Sequence, residues 1–587
     1  MFKSFKFLLD LIWKFNKKYV FYAATFQIVT ALVPLLSVIM PKYIIDELVG
    51  QQRLAYLGIY VGILVLINFA GMALLSFLEG AMFTSKSAVF NDFQCMMAEK
   101  LTTCDFESLE SPEFLDIKEK AHRILYAEGQ GFGMVLDHAF NIVGKVFIFA
   151  GLIAVLSTLN FGIVIVFVLL VLLNSLVESR VRKKYVSWDM EKAPIERRTA
   201  YLLELIEDFE YGKEERIYNL KDFLIGKTAK HLHESHSFYK KQTHVLNQSK
   251  YFTAFTSLIR DGITYAYLIF KVVNRHIQIG SFAMYLGAVA QFSTAMNDMM
   301  SSIISIRRFG AYYDELEKYI NMPQKMREGK RNVDAGVTEH TIVFENVSFK
   351  YPGAATYALK HVNITISPKE KLSIVGENGA GKTTFVKLLT RLYEPTEGRI
   401  LLDGVDIREI EYDAYQSLMA AVFQDFKLFS FTLKENICFD QECDDAEVID
   451  CLKRSGFGNK LAQLPKGVHT NIYKNFEEDG FEPSGGEGQK IALARTLFKN
   501  TPIVILDEPT AALDPRAEYE MYQNFHDMSR DKTTIFISHR LSSSKFCDKI
   551  AVFVGGEIVE YGSHDELYRA NHLYRELFDM QAQFYQS

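Results

Sequence analysis

Residues Lys371–Tyr393 read KLSIVGENGAGKTTFVKLLTRLY, and this stretch decides the fold of the chain's second half. A short apolar run, Leu372–Val375, ends at a glycine. A polar, glycine-rich loop follows, and then Phe385, Val386, Leu388 and Leu389 recur at helical spacing. The pattern is strand, loop, helix. From Gly376 to Thr383 the loop matches GxxxxGK[ST] in full, through Glu377, Asn378, Gly379, Ala380, Gly381 and Lys382, with Thr384 next. Gly379 and Gly381 let backbone N–H groups close on phosphates, and the helix N-terminus adds its positive end. Lys382 is placed to bridge β- and γ-phosphates, and Thr383 to set its hydroxyl on Mg²⁺. Such a loop alone occurs by chance; here the strand and helix it requires flank it.

Downstream, TPIVILDEPTAALDP (Thr501–Pro515) supplies a second piece. Ile503–Leu506 form a buried strand, and Asp507 emerges at its end to hold Mg²⁺, directly or through water. Glu508, one residue beyond, suits a general base that polarises an attacking water. The competing reading, a carboxylate capping the next helix, is outweighed by the loop upstream. Before the loop, HTIVFENVSFKY (His340–Tyr351) and HVNITIS (His361–Ser367) alternate as strands.

The first half is different. Six apolar stretches approach the length of about twenty residues that a membrane crossing requires: 19–40, 56–78, 142–159, 161–176, 252–273 and 282–306. Short gaps join them in pairs, and long charged segments of helical period separate the second from the third and the fourth from the fifth. These segments contain breaks, at Ser111-Pro112 (an N-cap and first helical residue) and at Gly212. Short transverse helices that touch a cytoplasmic domain fit there, as does a plain helix–turn–helix. Lys3, Lys6, Lys14, Lys17, Lys18, Arg180, Arg182, Lys183, Lys184, Arg307 and Arg308 fall on one side, which the positive-inside rule makes cytoplasmic. The first twenty residues, MFKSFKFLLDLIWKFNKKYV, place Phe5, Leu8, Leu9, Ile12 and Trp13 at helical spacing among lysines. That reads as an amphipathic surface helix rather than a cleaved signal.

A length of 587 residues exceeds one ordinary domain. The division expected is a membrane domain over 1–321, a linker over 322–339 (MPQKMREGKRNVDAGVTE) and an α/β domain over 340–587. A net charge of −6 argues against nucleic acid as a partner. Six cysteines (Cys95, Cys104, Cys438, Cys443, Cys451, Cys547) show neither secretory pairing nor CxxC and are expected as reduced thiols.

With these pieces in this order, the chain resembles an ABC transporter half-unit of the exporter type over essentially its whole length. The fold implied is an all-α six-helix transmembrane domain followed by an α/β P-loop nucleotide-binding domain. The resemblance assigns Tyr351 to adenine stacking, Gln424 (in AAVFQDF) to Mg²⁺ and the attacking water, and His539 (in IFISHR) to the γ-phosphate. It makes Ser484, Gly485, Gly486 and Glu487 (in EPSGGEGQK) the signature, and Asp514 part of the loop crossing a dimer interface. It implies ATP and Mg²⁺ as cofactors, and two ATPase domains that sandwich two ATP molecules, each signature serving the other chain's phosphate loop.

The family most often has leucine where Pro483 stands and glutamine where Glu487 stands. Proline locks φ and lacks an N–H, but near a helix start that N–H has no helical partner, so a modest effect is expected. A homodimer is expected ahead of a heterodimer in which this signature serves a weaker site. The resemblance implies a multi-pass protein of the plasma membrane, bacterial, in contact with lipid, that exports a small molecule, lipid or peptide. Uptake of a metal-chelating molecule, an ATP-gated channel and a soluble ATPase are the rival readings, the last set against six apolar stretches. Arg260, Asp261 and Asp298 lie in the apolar stretches or close to them, where charge is usually functional; Met284, Met296, Met299 and Met300 suit either an adaptable pocket or plain core.

Overall fold

The protein is described from a computed structural model covering residues 2–126, 132–159, 161–208, 211–333, 337–439, 442–509, 531–538 and 541–586. The chain divides into two compact units, one made of Met1–Leu101 and Asp116–Asn321, the other of Thr102–Leu115 and Met322–Ser587.

The helices of the first half run in the order α1 (Phe2–Phe15), α2 (Lys17–Val49), α3 (Leu54–Thr103), α4 (Phe106–Leu109), α5 (Pro112–Tyr126), α6 (Phe132–Ser157), α7 (Phe161–Glu207), α8 (Gly212–Ile217), α9 (Lys221–Val273) and α10 (Ile279–Ile320). The six apolar stretches lie on α2, α3, α6, α7, α9 and α10, the third overrunning its helix by two residues. Among the described residues α2, α3 and α6 are long and apolar enough to cross a membrane by length and composition alone. The apolar parts of α7, α9 and α10 are continuous with charged helix, which explains their length of 47, 53 and 42 residues.

Tyr285, Ala288, Val289, Phe292 and Ala295 repeat along one stripe of α10 and are buried with Ile148 and Leu152 of α6 and Ala31 and Val38 of α2. This is the three-to-four spacing that presents one helix face to its neighbours. Glycines let α6 approach α2 closely: a Cβ on Gly144 would lie 2.2 Å from Gln27 Oε1, and one on Gly151 2.5 Å from Leu35. Several charges on the apolar stretches are paired. Lys145 Nζ donates to Asp298 at 2.7 Å, and Arg260 donates to Asp261 at 2.9 Å and also to Ser293. Met284 and Met296 are buried in the helix packing. In α1, Ile12 is buried while Trp13 is largely exposed, as a one-sided helix requires.

The second unit holds two sheets. β1 (Ile342–Phe349), β2 (Leu359–Ile366), β4 (Glu397–Leu402) and β5 (Val405–Asp406) form an antiparallel sheet in the order β2-β1-β4-β5. The larger sheet uses β3 (Lys371–Gly376), β6 (Met419–Val422), β7 (Ile503–Asp507), β8 (Thr533–Ile537), β9 (Lys549–Val554) and β10 (Glu557–Gly562) in the order β10-β9-β3-β8-β7-β6. β6, β7, β8, β3 and β9 are parallel and β10 closes the edge antiparallel. β7 and β8 are buried at every position, so neither shows the alternation of a strand with one solvated face. One core joins both sheets through Phe344 stacked on Phe385 at 4.4 Å.

Thr102–Leu115 belongs to this unit: Phe106 meets Tyr393 edge-on at 5.7 Å, Tyr393 donates to Glu110, and Lys325 N–H donates to Asp105 at 2.9 Å. Within the stretch expected as a linker, Lys330 and Arg331 N–H groups donate to Glu409 O, and Glu411 N–H returns to Arg331 O. The buried Arg391 guanidinium ties Met326 O (2.7 Å) to Ile410 O (2.8 Å). The end of one helix (Leu433–Cys438) and the approach to the next (Asp445–Arg454) bring Cys438 and Cys443 together, their Cα atoms 6.4 Å apart.

Candidate nucleotide site

In the parallel sheet the functional side chains gather at the carboxyl ends of strands, where open α/β sheets place their ligands. β3 runs into the glycine loop, and α11 (Lys382–Leu389) begins where it ends. Gly376 and Gly381 are required there. Gly381 sits at φ 104°, and a Cβ on it would lie 2.7 Å from Leu359 and 2.8 Å from Ala358 O; a Cβ on Gly376 would lie 2.4 Å from Phe553 O. Lys382 Nζ donates to Gly376 O at 2.9 Å and Glu377 O at 3.0 Å, so the loop already wraps its ammonium. Burial lowers the Lys382 pKa, with Glu508 and Asp507 opposing.

β7 is separated from β3 by β8, and Asp507 and Ile374 share the same partner residue, Ile537. Register thus brings the acid at the end of β7 level with the end of β3. Asp507 is 1% exposed, and neither carboxylate oxygen has a hydrogen-bond partner among the described residues. Burial and the neighbouring Glu508 push this carboxyl up to about 6, against the pull of Thr383 and Lys382. Glu508 turns the chain with φ +51°, a left-handed conformation that is uncommon outside glycine and asparagine. Gln424, just past β6, donates Nε2 to Glu508 Oε2 at 3.1 Å. Sequence reasoning missed Gln489. Its amide donates to Glu508 O at 3.2 Å from a buried position on the helix Gly485–Lys499. A polar residue beside the apolar Ile491, Ala492 and Leu493 was the available signal.

Tyr351 meets Phe349 edge-on at 4.9 Å and Tyr393 at 5.4 Å, and its hydroxyl lies 3.1 Å from Thr384 Oγ1. Ser484 is the N-cap of the helix Gly485–Lys499, with Glu487 completing a capping box. Pro483 therefore precedes the helix and removes none of its hydrogen bonds. In the acidic run before it, Lys466 pairs with Glu477 at 2.9 Å and with Asp479 at 3.0 Å. Asp514 and His539 lie outside the described residues.

A glycine loop and an acidic strand end on one parallel sheet, joined in sequence to membrane-length apolar helices, define an ATPase fused to a membrane domain. The chain carries an ABC-type ATPase domain coupled to transport across a membrane, and along nearly its whole length it is similar to ABC transport proteins. Residues 359–511 match the ABC transporter family model. The chain is 29% identical over 578 residues to the subtilin transport ATP-binding protein SpaT of Bacillus subtilis, covering 94% of this chain and 90% of that one. It is 28% identical to the nisin transport ATP-binding protein NisT of Lactococcus lactis subsp. lactis, over 97% and 95%. An ATP-dependent lipid A-core flippase of Methylobacillus flagellatus is 33% identical over 58% of each chain. The fold matches a bacterial Atm1-family ABC exporter with ATP bound at a TM-score of 0.83, with 22% identity over 96% of this chain and 99% of that one. These sequence relatives are named for transport of subtilin and nisin and for flipping of lipid A-core.

Proposed function

We propose that this chain exports its cargo from the cytoplasm of a bacterium, working in the plasma membrane as a homodimer whose two ATP sites each combine one chain's phosphate loop with the other's signature. The N-terminus and the ATPase domain are cytoplasmic in this reading, from the lysines and arginines on that side. The observation that carries the site assignment is Asp507. A buried carboxylate without a well-formed hydrogen bond among the described residues, at the end of a parallel strand, is costly unless something cationic completes it.

Mg²⁺ fits that need. Asp507, with Thr383 and Gln424, would hold it, and when bound it neutralises charge on the phosphate oxygens. The chain's own residues do the rest. Lys382, released from the Gly376 and Glu377 carbonyls, lies on the β- and γ-phosphates, over a loop running from Gly376 through Glu377, Asn378, Gly379, Ala380 and Gly381 to Thr384. Glu508 takes the proton of the attacking water, with Gln424 on Oε2 and Gln489 on its carbonyl holding its orientation. Tyr351 stacks on adenine, His539 contacts the γ-phosphate and Asp514 sits at the dimer interface. Ser484, Gly485, Gly486 and Glu487 face the partner chain's nucleotide.

The two relatives that align along nearly the whole chain, membrane helices included, are named for transport of subtilin and nisin. The cargo proposed is of that kind. The test is ATP turnover by this chain alone in lipid nanodiscs. Cooperative turnover abolished by Glu508→Gln is expected; ATP binding without turnover would mean that a different partner chain is required.

A further inference from the structure

The helix Gly485–Lys499 carries an acid at the end proposed to meet phosphate. Glu487 Oε2 accepts from Ser484 N–H at 2.8 Å and from Ser484 Oγ at 2.7 Å. An ionised carboxylate here opposes an arriving phosphate, because like charges a few ångströms apart repel strongly where water is excluded. It also competes with that phosphate for the Ser484 hydroxyl proton. Something has to offset this charge for the helix N-terminus to act as an anion site.

Lys460 is placed to do so. Its Nζ lies 3.2 Å from Glu487 Oε1, the oxygen not used by Ser484. The ammonium also sits 4.9 Å from the Phe481 ring centroid, and Phe481 in turn packs against Phe457 at 6.1 Å. Lys460 comes from the short helix Gly458–Leu461, well away in sequence, so its position is set by packing and not by local spacing. Burial would raise the Glu487 carboxyl, but the Ser484 hydrogen bonds and Lys460 outweigh it and hold it below the usual range. The acid is therefore ionised, and its charge is matched from one side only.

We propose that Lys460 is a positioning residue for ATP turnover: it neutralises Glu487 and draws the carboxylate toward its outer oxygen, leaving Ser484 and the helix N-terminus able to receive the γ-phosphate held by a second chain. This rests on the reading of Ser484–Glu487 as the contact to the partner's nucleotide.

The test uses the full chain in nanodiscs, with KM for MgATP, kcat and Tm measured for wild type, Lys460→Met, Glu487→Gln and the double variant. Lys460→Met is expected to raise KM about tenfold with Tm little changed, and Lys460→Arg to restore it. In the Glu487→Gln background the same Lys460→Met change is expected to shift KM less than about twofold, because no carboxylate remains to offset. An unchanged KM in Lys460→Met, or a rise that persists in the double variant, overturns the proposal. Ser484→Ala separates the two levels. If it alters turnover while Lys460→Met does not, only the role of Lys460 fails; if Ser484→Ala is silent, the signature reading falls and this inference with it.

Discussion

Asp507 shows how one residue sets stability against function. Its folded pKa, about 6, is raised from 3.8, so the unfolded chain gives up this proton more readily. Its contribution to stability is fully present below pH 3.8 and is lost as pH rises through about 6. Asp507→Asn is accordingly expected to stabilise the metal-free protein at pH 7 by up to about 3 kcal/mol and raise its Tm, while abolishing Mg²⁺-dependent turnover. Calorimetry and ATPase assays on one preparation check both. A metal ligand must be deprotonated, so Mg²⁺ affinity is expected to fall as pH drops through about 6, measured by titration at pH 5.5 and 7.5. Glu508→Gln is expected to lower kcat by about 100-fold or more with ATP binding retained, measured by single-turnover kinetics. Asp507 and Glu508 were legible as a pair in the sequence. Gln489 and Lys460 were not, since their roles come from which side chains packing brings beside Glu508 and Glu487.

At the scale of elements, helix starts decide whether unusual residues matter. Pro483 lies before the N-cap Ser484, where its missing N–H interrupts no helical bond. Pro483→Leu is expected to change stability by less than about 0.5 kcal/mol, measured by denaturant unfolding. Gly381 is the opposite case. Its φ is 104°, and a side-chain carbon added there would meet backbone and Leu359 within 3 Å. Gly381→Ala is therefore expected to cost more than about 1 kcal/mol and weaken ATP binding. Equilibrium unfolding and nucleotide titration check this. α4 was visible in the sequence only as a break before Pro112. Its place against Tyr393 depends on Phe106, Glu110 and Asp105 finding partners more than two hundred residues away.

For the whole molecule, the proposed composite sites predict complementation in trans. Lys382→Ala removes the phosphate loop's cation and Ser484→Glu blocks the signature, and each chain alone is expected to turn over little ATP. Mixing them before reconstitution creates dimers with one site carrying both defects and one carrying neither. Turnover is expected to reappear on mixing and to stay absent when both substitutions lie on the same chain. Recovery in the same-chain control would contradict sites shared between chains.

Periodicity and motif order were enough to divide this chain into apolar helices and a P-loop domain, because helix period, apolar length and a glycine-rich turn are local properties written in consecutive residues. They also singled out the glycine loop, the acidic strand end and Ser484–Glu487 as candidate site segments. Tertiary structure alone decided which charges are neutralised: Lys145 with Asp298, Lys466 with Glu477 and Asp479, Lys460 with Glu487. It also decided that Asp507 is left without a hydrogen-bond partner among the described residues and that Cys438 meets Cys443. An ion pair or an orphaned carboxylate depends on distance and burial, and those are fixed only once segments remote in sequence pack together.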